Sequence, residues 1–141
     1  MADERIIFDT RIAVVLRDDL LTWQKLNVTA FTVSGIAATV TGVVGEEYED
    51  GSGNTYLPIF GQPVLVFSGS GDQMRTVYDR MQSRDLRFAI FTEALFQTGN
   101  DSDNRGAVRA CASEDLAIVG LAVRAEKKIM DKVLRGLALH Q

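Results

Sequence analysis

The seven residues from Arg11 to Arg17, Arg-Ile-Ala-Val-Val-Leu-Arg, constrain this chain more than any others. A continuous apolar run shut between charged ends is how a strand buried on both faces reads, because neither set of alternating side chains is offered to water. Such a strand needs a layer above it and a layer below. Three more short apolar runs follow, at residues 64–67, 88–91 and 116–123. Helical spacing separates them. Met74, Val77, Tyr78 and Met81 recur at i, i+3, i+4 and i+7 behind Ser70 and Gln73, which stand at the spacing of a capping box. Residues 126–134 turn Ile129, Val133 and Leu134 inward, and Gly136 stops that helix. Strands divided by helices require crossover connections, which imply a largely parallel or mixed sheet covered on both faces. The expected fold is α/β, a three-layer α/β/α sandwich around a mixed four-stranded sheet, with Leu137-Ala138-Leu139 as a short closing strand.

A chain of 141 residues, 46% hydrophobic and 24% charged, fits one domain spanning 1–141, with residues 1–10 as an N-terminal extension. Wholesale disorder is excluded. The formal charge of −4, from 15 basic and 19 acidic residues, argues against a protein whose main task is coating nucleic acid, though a local basic patch is still allowed. Cys111 is the only cysteine, so no intrachain disulfide forms and a cytoplasmic setting is expected. Asp3, Glu4 and Arg5 before a short apolar run do not make a signal peptide.

Residues 26–44 carry no charge and are long enough to test as a membrane span. Asn27, Thr29, Thr32, Ser34, Thr39 and Thr41 interrupt them too often for insertion into lipid. They read instead as a core helix capped by Asn27, with Val28, Phe31, Gly35, Ala38 and Gly42 on one stripe. Asp50-Gly51 and Gly53-Asn54 mark a hairpin or exposed loop within 46–56, and residues 99–106 read as a polar, glycine-flanked loop.

The chemistry-bearing residues are few. His140, the only histidine, lies one residue from the end of the sequence and offers a serine or cysteine nucleophile no comfortable base. No metal site and no cofactor are expected. Gly69-Ser70-Gly71 sits where phosphate-binding loops occur, but no Lys-Ser or Lys-Thr follows and Asp72 would repel an anion, so it reads as a capped turn. Trp23, Gln24 and Lys25 fall at the exit of the first strand, where open α/β sheets place ligands; Trp23 holds a small molecule there or lids the core. Asp18 and Asp19 end that strand, as an acid/base pair or as local caps. Glu93 follows the third strand, with Gln97 and Thr98 just beyond it. If the first and third strands are neighbours, Lys25 and Glu93 approach at one end of the sheet as a structural or a catalytic ion pair.

The order of Arg17-Asp18-Asp19-Leu20, Trp23-Gln24-Lys25-Leu26-Asn27, Phe91-Thr92-Glu93-Ala94-Leu95-Phe96-Gln97-Thr98-Gly99 and Asp115-Leu116-Ala117-Ile118-Val119-Gly120 resembles an uncharacterised bacterial domain-of-unknown-function family. That family is similar in fold to peptidyl-tRNA hydrolase II. The resemblance implies a mixed four-stranded sheet between helices, often assembled as a homodimer. Arg17-Asp18-Asp19-Leu20 matches the Arg-x-Asp-Leu opening of the hydrolases, and Lys25 stands for their catalytic lysine after a one-residue shift. Glu93-Ala94 stands for their Asp-Ala, with Leu95 in place of the following glycine and Gln97-Thr98 reversing their Thr-Gln. Three readings follow. One is a pocket rebuilt to bind or transform an unidentified small molecule, with Asp19, Trp23, Asn27, Gln97 and Thr98 as ligand contacts. Another is peptidyl-tRNA hydrolysis or related acyl transfer, with Lys25 positioning the substrate and Glu93 orienting a water; the net charge disfavours tRNA. The last is a dimeric interaction module without catalysis. None involves a membrane.

Overall fold

The computed structural model describes residues 8–141. Most of the expected N-terminal extension, residues 1–7, lies outside them. In chain order the elements are β1 (Thr10–Arg17), α1 (Thr22–Thr39), β2 (Tyr48–Glu49), β3 (Thr55–Tyr56), β4 (Val64–Gly69), α2 (Gly71–Ser83), β5 (Phe88–Thr92), a 3₁₀ turn (Glu93–Gln97), α3 (Asp101–Arg109), a second 3₁₀ turn (Ser113–Asp115), β6 (Ile118–Glu126), α4 (Lys127–Val133) and β7 (Ala138–Leu139).

The main sheet has five strands in the order β5-β6-β1-β4-β7, with β1 at its centre. The four expected strands are present, and the closing strand β7 adds a fifth. Only β1 and β4 pair in parallel, in the register Ile12↔Val64 to Arg17↔Gly69; β6 runs antiparallel to both β1 and β5, and β7 antiparallel to β4. β1, β4 and β5 therefore all point the same way, and their C-terminal ends meet one rim although β6 separates β1 from β5.

Alternation along β1 divides the core into two. Ala13 and Val15 pack with Met74, Val77, Met81 and Met130 beneath α2 and α4, whereas Ile12, Val14 and Leu16 pack with Val28 and Ile36 beneath α1. Helices thus cover both faces. β4 is less enclosed than its apolar run suggests: Val64–Phe67 are only half-buried, because α1 lies over β6, β5 and β1 instead.

The start of α1 differs from expectation. The helix begins at Thr22, where the Gln24 side-chain oxygen accepts from the Leu21 amide at 2.9 Å, so Asn27 lies inside the helix rather than capping it. Its buried stripe is Val28, Thr32 and Ile36, at steps of four, and the Thr32 hydroxyl donates to the Val28 carbonyl at 2.8 Å. No helix among the described residues is long and apolar enough to cross a membrane.

α2 is capped as its sequence predicts, Ser70 Oγ accepting from the Gln73 amide and Gln73 Oε1 from the Ser70 amide. β2 and β3 form the expected hairpin. Its turn is clasped by Asp50, which accepts from the Tyr56 hydroxyl at 2.7 Å and from the Ser52 and Asn54 amides. The bond from Tyr56, followed by those amides, holds the Asp50 carboxyl below the usual carboxylate range, and the same bond raises the Tyr56 phenol.

The segment expected as a polar loop is helical over α3. Asn100 caps it, its side-chain oxygen accepting from the Asp103 amide at 2.8 Å, and Arg105 pairs with Asp101 one turn earlier.

Candidate functional site

The exits of β1 and β5 meet at the common rim through Arg17, a residue of the Arg-x-Asp-Leu match that carries no site role in the sequence reading. Arg17, the last residue of β1, donates from Nε to Asp19 at 2.5 Å and from Nη1 to Glu93 at 3.4 Å. Partial burial works against the Arg17 charge, but the two carboxylates outweigh it and hold the guanidinium above its ordinary value. The Glu93 amide donates to Ala117 and the Asp18 amide to Gly69, tying the rim to β6 and β4.

Lys25 lies on the other flank of α1. Its Nζ is 3.2 Å from His140 Nε2, and the His140 amide donates to the Val66 carbonyl, so this pair pins the chain after β7 against β4. Among the described residues Lys25 and Glu93 form no ion pair: each is engaged with a different partner.

A cleft of about 390 Å³ opens between α1, the first 3₁₀ turn and the start of α3. Trp23, Asn27 and Phe31 line it from α1, at steps of four that place them on one flank. Phe91, Leu95, Phe96 and Thr98 line it from β5 and the 3₁₀ turn, and Asn100, Asp101 and Asn104 from α3. Its aromatic rings form a connected wall. Phe31 meets Phe91 at 5.8 Å between centroids, Phe91 meets Phe96 at 5.0 Å, and Phe96 meets Trp23 edge-on at 5.9 Å. The Thr98 hydroxyl shares its single proton between the Leu95 carbonyl and Asn104 Oδ1, joining the 3₁₀ turn to α3.

Of the residues selected from sequence, the cleft gathers Trp23, Asn27 and Thr98. Asp19 and Glu93 sit at the rim on Arg17, Lys25 sits with His140, and Gln97 is exposed outside the cleft lining. Phe31, Phe96 and the two α3 asparagines were missed. Phe31 was within reach, since it continues the Trp23, Asn27 spacing. Asn100 and Asn104 were not, because the segment read as a loop gave no flank on which to place them. Among the described residues no cluster of three or more His, Cys, Asp or Glu stands ready to hold a metal ion.

The family model for "Protein of unknown function (DUF2000)" matches residues 10–141. The chain belongs to the DUF2000 family. A solved structure of the protein of unknown function Atu0240 from Agrobacterium tumefaciens strain C58 is 44% identical, with a TM-score of 0.93 over 96% of this chain and all of that one. No curated protein matches. The DUF2000 match begins with β1 and runs through β7, so it takes in both flanks of α1 and the whole cleft.

Proposed function

We propose that this DUF2000 protein is a single-domain cytoplasmic protein that binds a small molecule in the cleft between α1 and α3, with Trp23, Asn27 and Thr98 as ligand contacts. The observation that carries this is an aromatic wall faced by side-chain amides, beside the strand exits of an α/β sheet. The mixed sheet, its covering helices and the meeting of Arg17 with Glu93 support a peptidyl-tRNA hydrolase II-like topology. Hydrolysis is the weaker reading, because Lys25 and Glu93 engage separate partners and neither lines the cleft. In this reading Lys25 and Glu93 position α1 and the 3₁₀ turn.

Trp23 is the only tryptophan, so indole fluorescence reports on the cleft alone. Screening small aromatic and heteroaromatic amides should give saturable changes in Trp23 emission that disappear in Phe96→Ala. A library in which every change persists in that variant would show that the ligand does not sit on the aromatic wall.

A homodimer is supported by a separate observation. Residues 26–45 and 51–71 contain no charged side chain, so all 15 basic and 19 acidic residues lie outside them. The two segments are joined by the Val44↔Phe60 bridge and by the Gly45–Ile59 and Gly61–Val43 backbone bonds. Leu26, Leu57 and Ile59 stand 67%, 82% and 62% exposed within them. Two like-charged copies associate most readily through a surface without charge. Sedimentation velocity should show a dimer that Leu26→Arg/Ile59→Arg converts to monomer; a wild type that sediments as a monomer throughout the micromolar range defeats this assembly.

A further inference from the structure

Trp23 meets Phe96 edge-on, at an interplanar angle of 71°, and stays 57% exposed. Phe96 covers at most one face of the indole, so Trp23 brings ring surface to the cleft that a flat ligand can stack on. One helical turn further along the same flank lies Asn27, whose amide makes no side-chain hydrogen bond among the described residues. Across the cleft, Asn104 spends its Oδ1 on the Thr98 hydroxyl, which leaves Nδ2 as a donor. A ring seated on Trp23 thus finds a donor–acceptor amide on one side and a further donor on the other.

The charge of the lining is equally selective. No lysine, arginine or histidine belongs to it. Its one carboxylate, Asp101, is paired with Arg105, and Asp101 and Asp103 both occupy the first turn of α3, where an anion would otherwise be welcome. A phosphate there meets no cation of the lining, only the one lining carboxylate, whose Arg105 partner is already engaged. A purely apolar ligand fits no better, since it would strip water from the Asn27 amide and return nothing.

We infer that the cleft selects an uncharged, flat nitrogen heterocycle of the nucleobase kind, presented as the free base or nucleoside and not as the nucleotide. This rests on the cleft being the binding site. Stacking on Trp23 supplies affinity without regard to sequence of ring atoms, and Asn27 reads the donor–acceptor edge as asparagine reads adenine.

The test is a fluorescence titration of the full chain with adenosine, guanosine, cytidine and uridine, with their 5′-monophosphates, and with naphthalene as an apolar control. At least one nucleoside should quench Trp23 saturably, its monophosphate should bind at least tenfold more weakly, and Asn27→Leu should weaken the nucleoside about tenfold or more while sparing naphthalene. Asn27 is exposed, so that variant should fold; its circular dichroism and thermal midpoint verify this. A monophosphate binding as tightly as its nucleoside overturns the inference, as does a nucleoside indifferent to Asn27→Leu. Naphthalene binding without any nucleoside overturns the ligand class and leaves the cleft reading standing. Silence from every probe overturns both.

Discussion

Gly120→Ala should destabilise the protein by about 3 kcal/mol, at the upper end for over-packing a core, and lower its thermal midpoint by roughly 10 °C. Gly120 lies in β6 directly under α1. A Cβ built there falls 2.2 Å from Val28 Cγ1, 3.4 Å from the Val15 carbonyl oxygen and 3.5 Å from Leu16 Cδ2. Val28 is fully buried and β-branched, so it has neither space nor an easy rotamer into which to retreat. The strand beneath belongs to the centre of the sheet, with Leu16 opposite Gly120 on β1. α1 must therefore rise as a unit, opening the seam that Val28, Thr32 and Ile36 close. Val28→Ala removes the colliding methyl groups. Urea unfolding of both single variants and the double should show the pair less destabilised than the sum by at least about 1 kcal/mol, a coupling expected only of residues in contact. Simple additivity would mean that α1 does not rest on Gly120.

Whether an element carries its own signal decides what can be read from the amino-acid order and what cannot. β1, α2, the 46–56 hairpin and α4 were legible because each carries its own signal: an uninterrupted apolar run, a capping box before spaced methionines, paired Asp-Gly and Gly-Asn, a terminating glycine. α3 carried none. It buries no residue, so hydrophobic periodicity had nothing to register, and Gly106 within it imitates the end of a loop. What makes it helical is local and polar, the Asn100 cap and the Asp101–Arg105 pair. The start of α1 was misplaced for a related reason: Gln24 caps from inside the helix, by reaching back to Leu21, while Asn27 is the residue type that usually does so from outside.

At the rim, the exits of β1 and β5 come together as expected, because the direction of the two strands sends both ends the same way whether or not they touch. The ion pair that forms there is Arg17 with Glu93, not Lys25 with Glu93. The insertion of β6 between β1 and β5 sets their exits two strand spacings apart, a gap that Arg17 at the end of β1 bridges toward Glu93, while Lys25, in the first turn of α1, meets His140, whose amide is bonded to Val66 of β4. An arginine bounding an apolar run reads as a solvated end, and nothing in sequence tells such an end from a bridge. Trp23, Asn27 and Phe31, by contrast, share a flank by helical geometry alone, so half of the cleft follows from α1 once the helix is allowed to begin at Thr22.

Gln62→Leu should cost about 2 kcal/mol although it changes side-chain volume little, because it removes the buried amide that three part-buried hydrogen bonds depend on. Gln62 is only 7% exposed and sits between Gly61 and Pro63, where the chain turns into β4. Its Nε2 donates to the Thr10 carbonyl at 2.6 Å and to Thr10 Oγ1 at 3.1 Å, and its Oε1 accepts from Arg124 Nε at 3.3 Å. One amide thereby fastens the entry of β4 to the first residue of β1 and to β6. Leucine fills the space and satisfies none of these groups. Arg124→Met should cost less, about 1 kcal/mol, since it removes one hydrogen bond of the three and leaves Gln62 still tied to Thr10. The two losses should not add, because they share a bond. Amide hydrogen exchange localises the effect: protection should fall first at the N-terminal end of β1 and along residues 62–64, while α2 and α4 keep theirs. A Gln62→Leu protein within about 0.5 kcal/mol of wild type would show that water reaches Thr10 and Arg124 freely, and that β4 is held to β1 by its strand pairing alone.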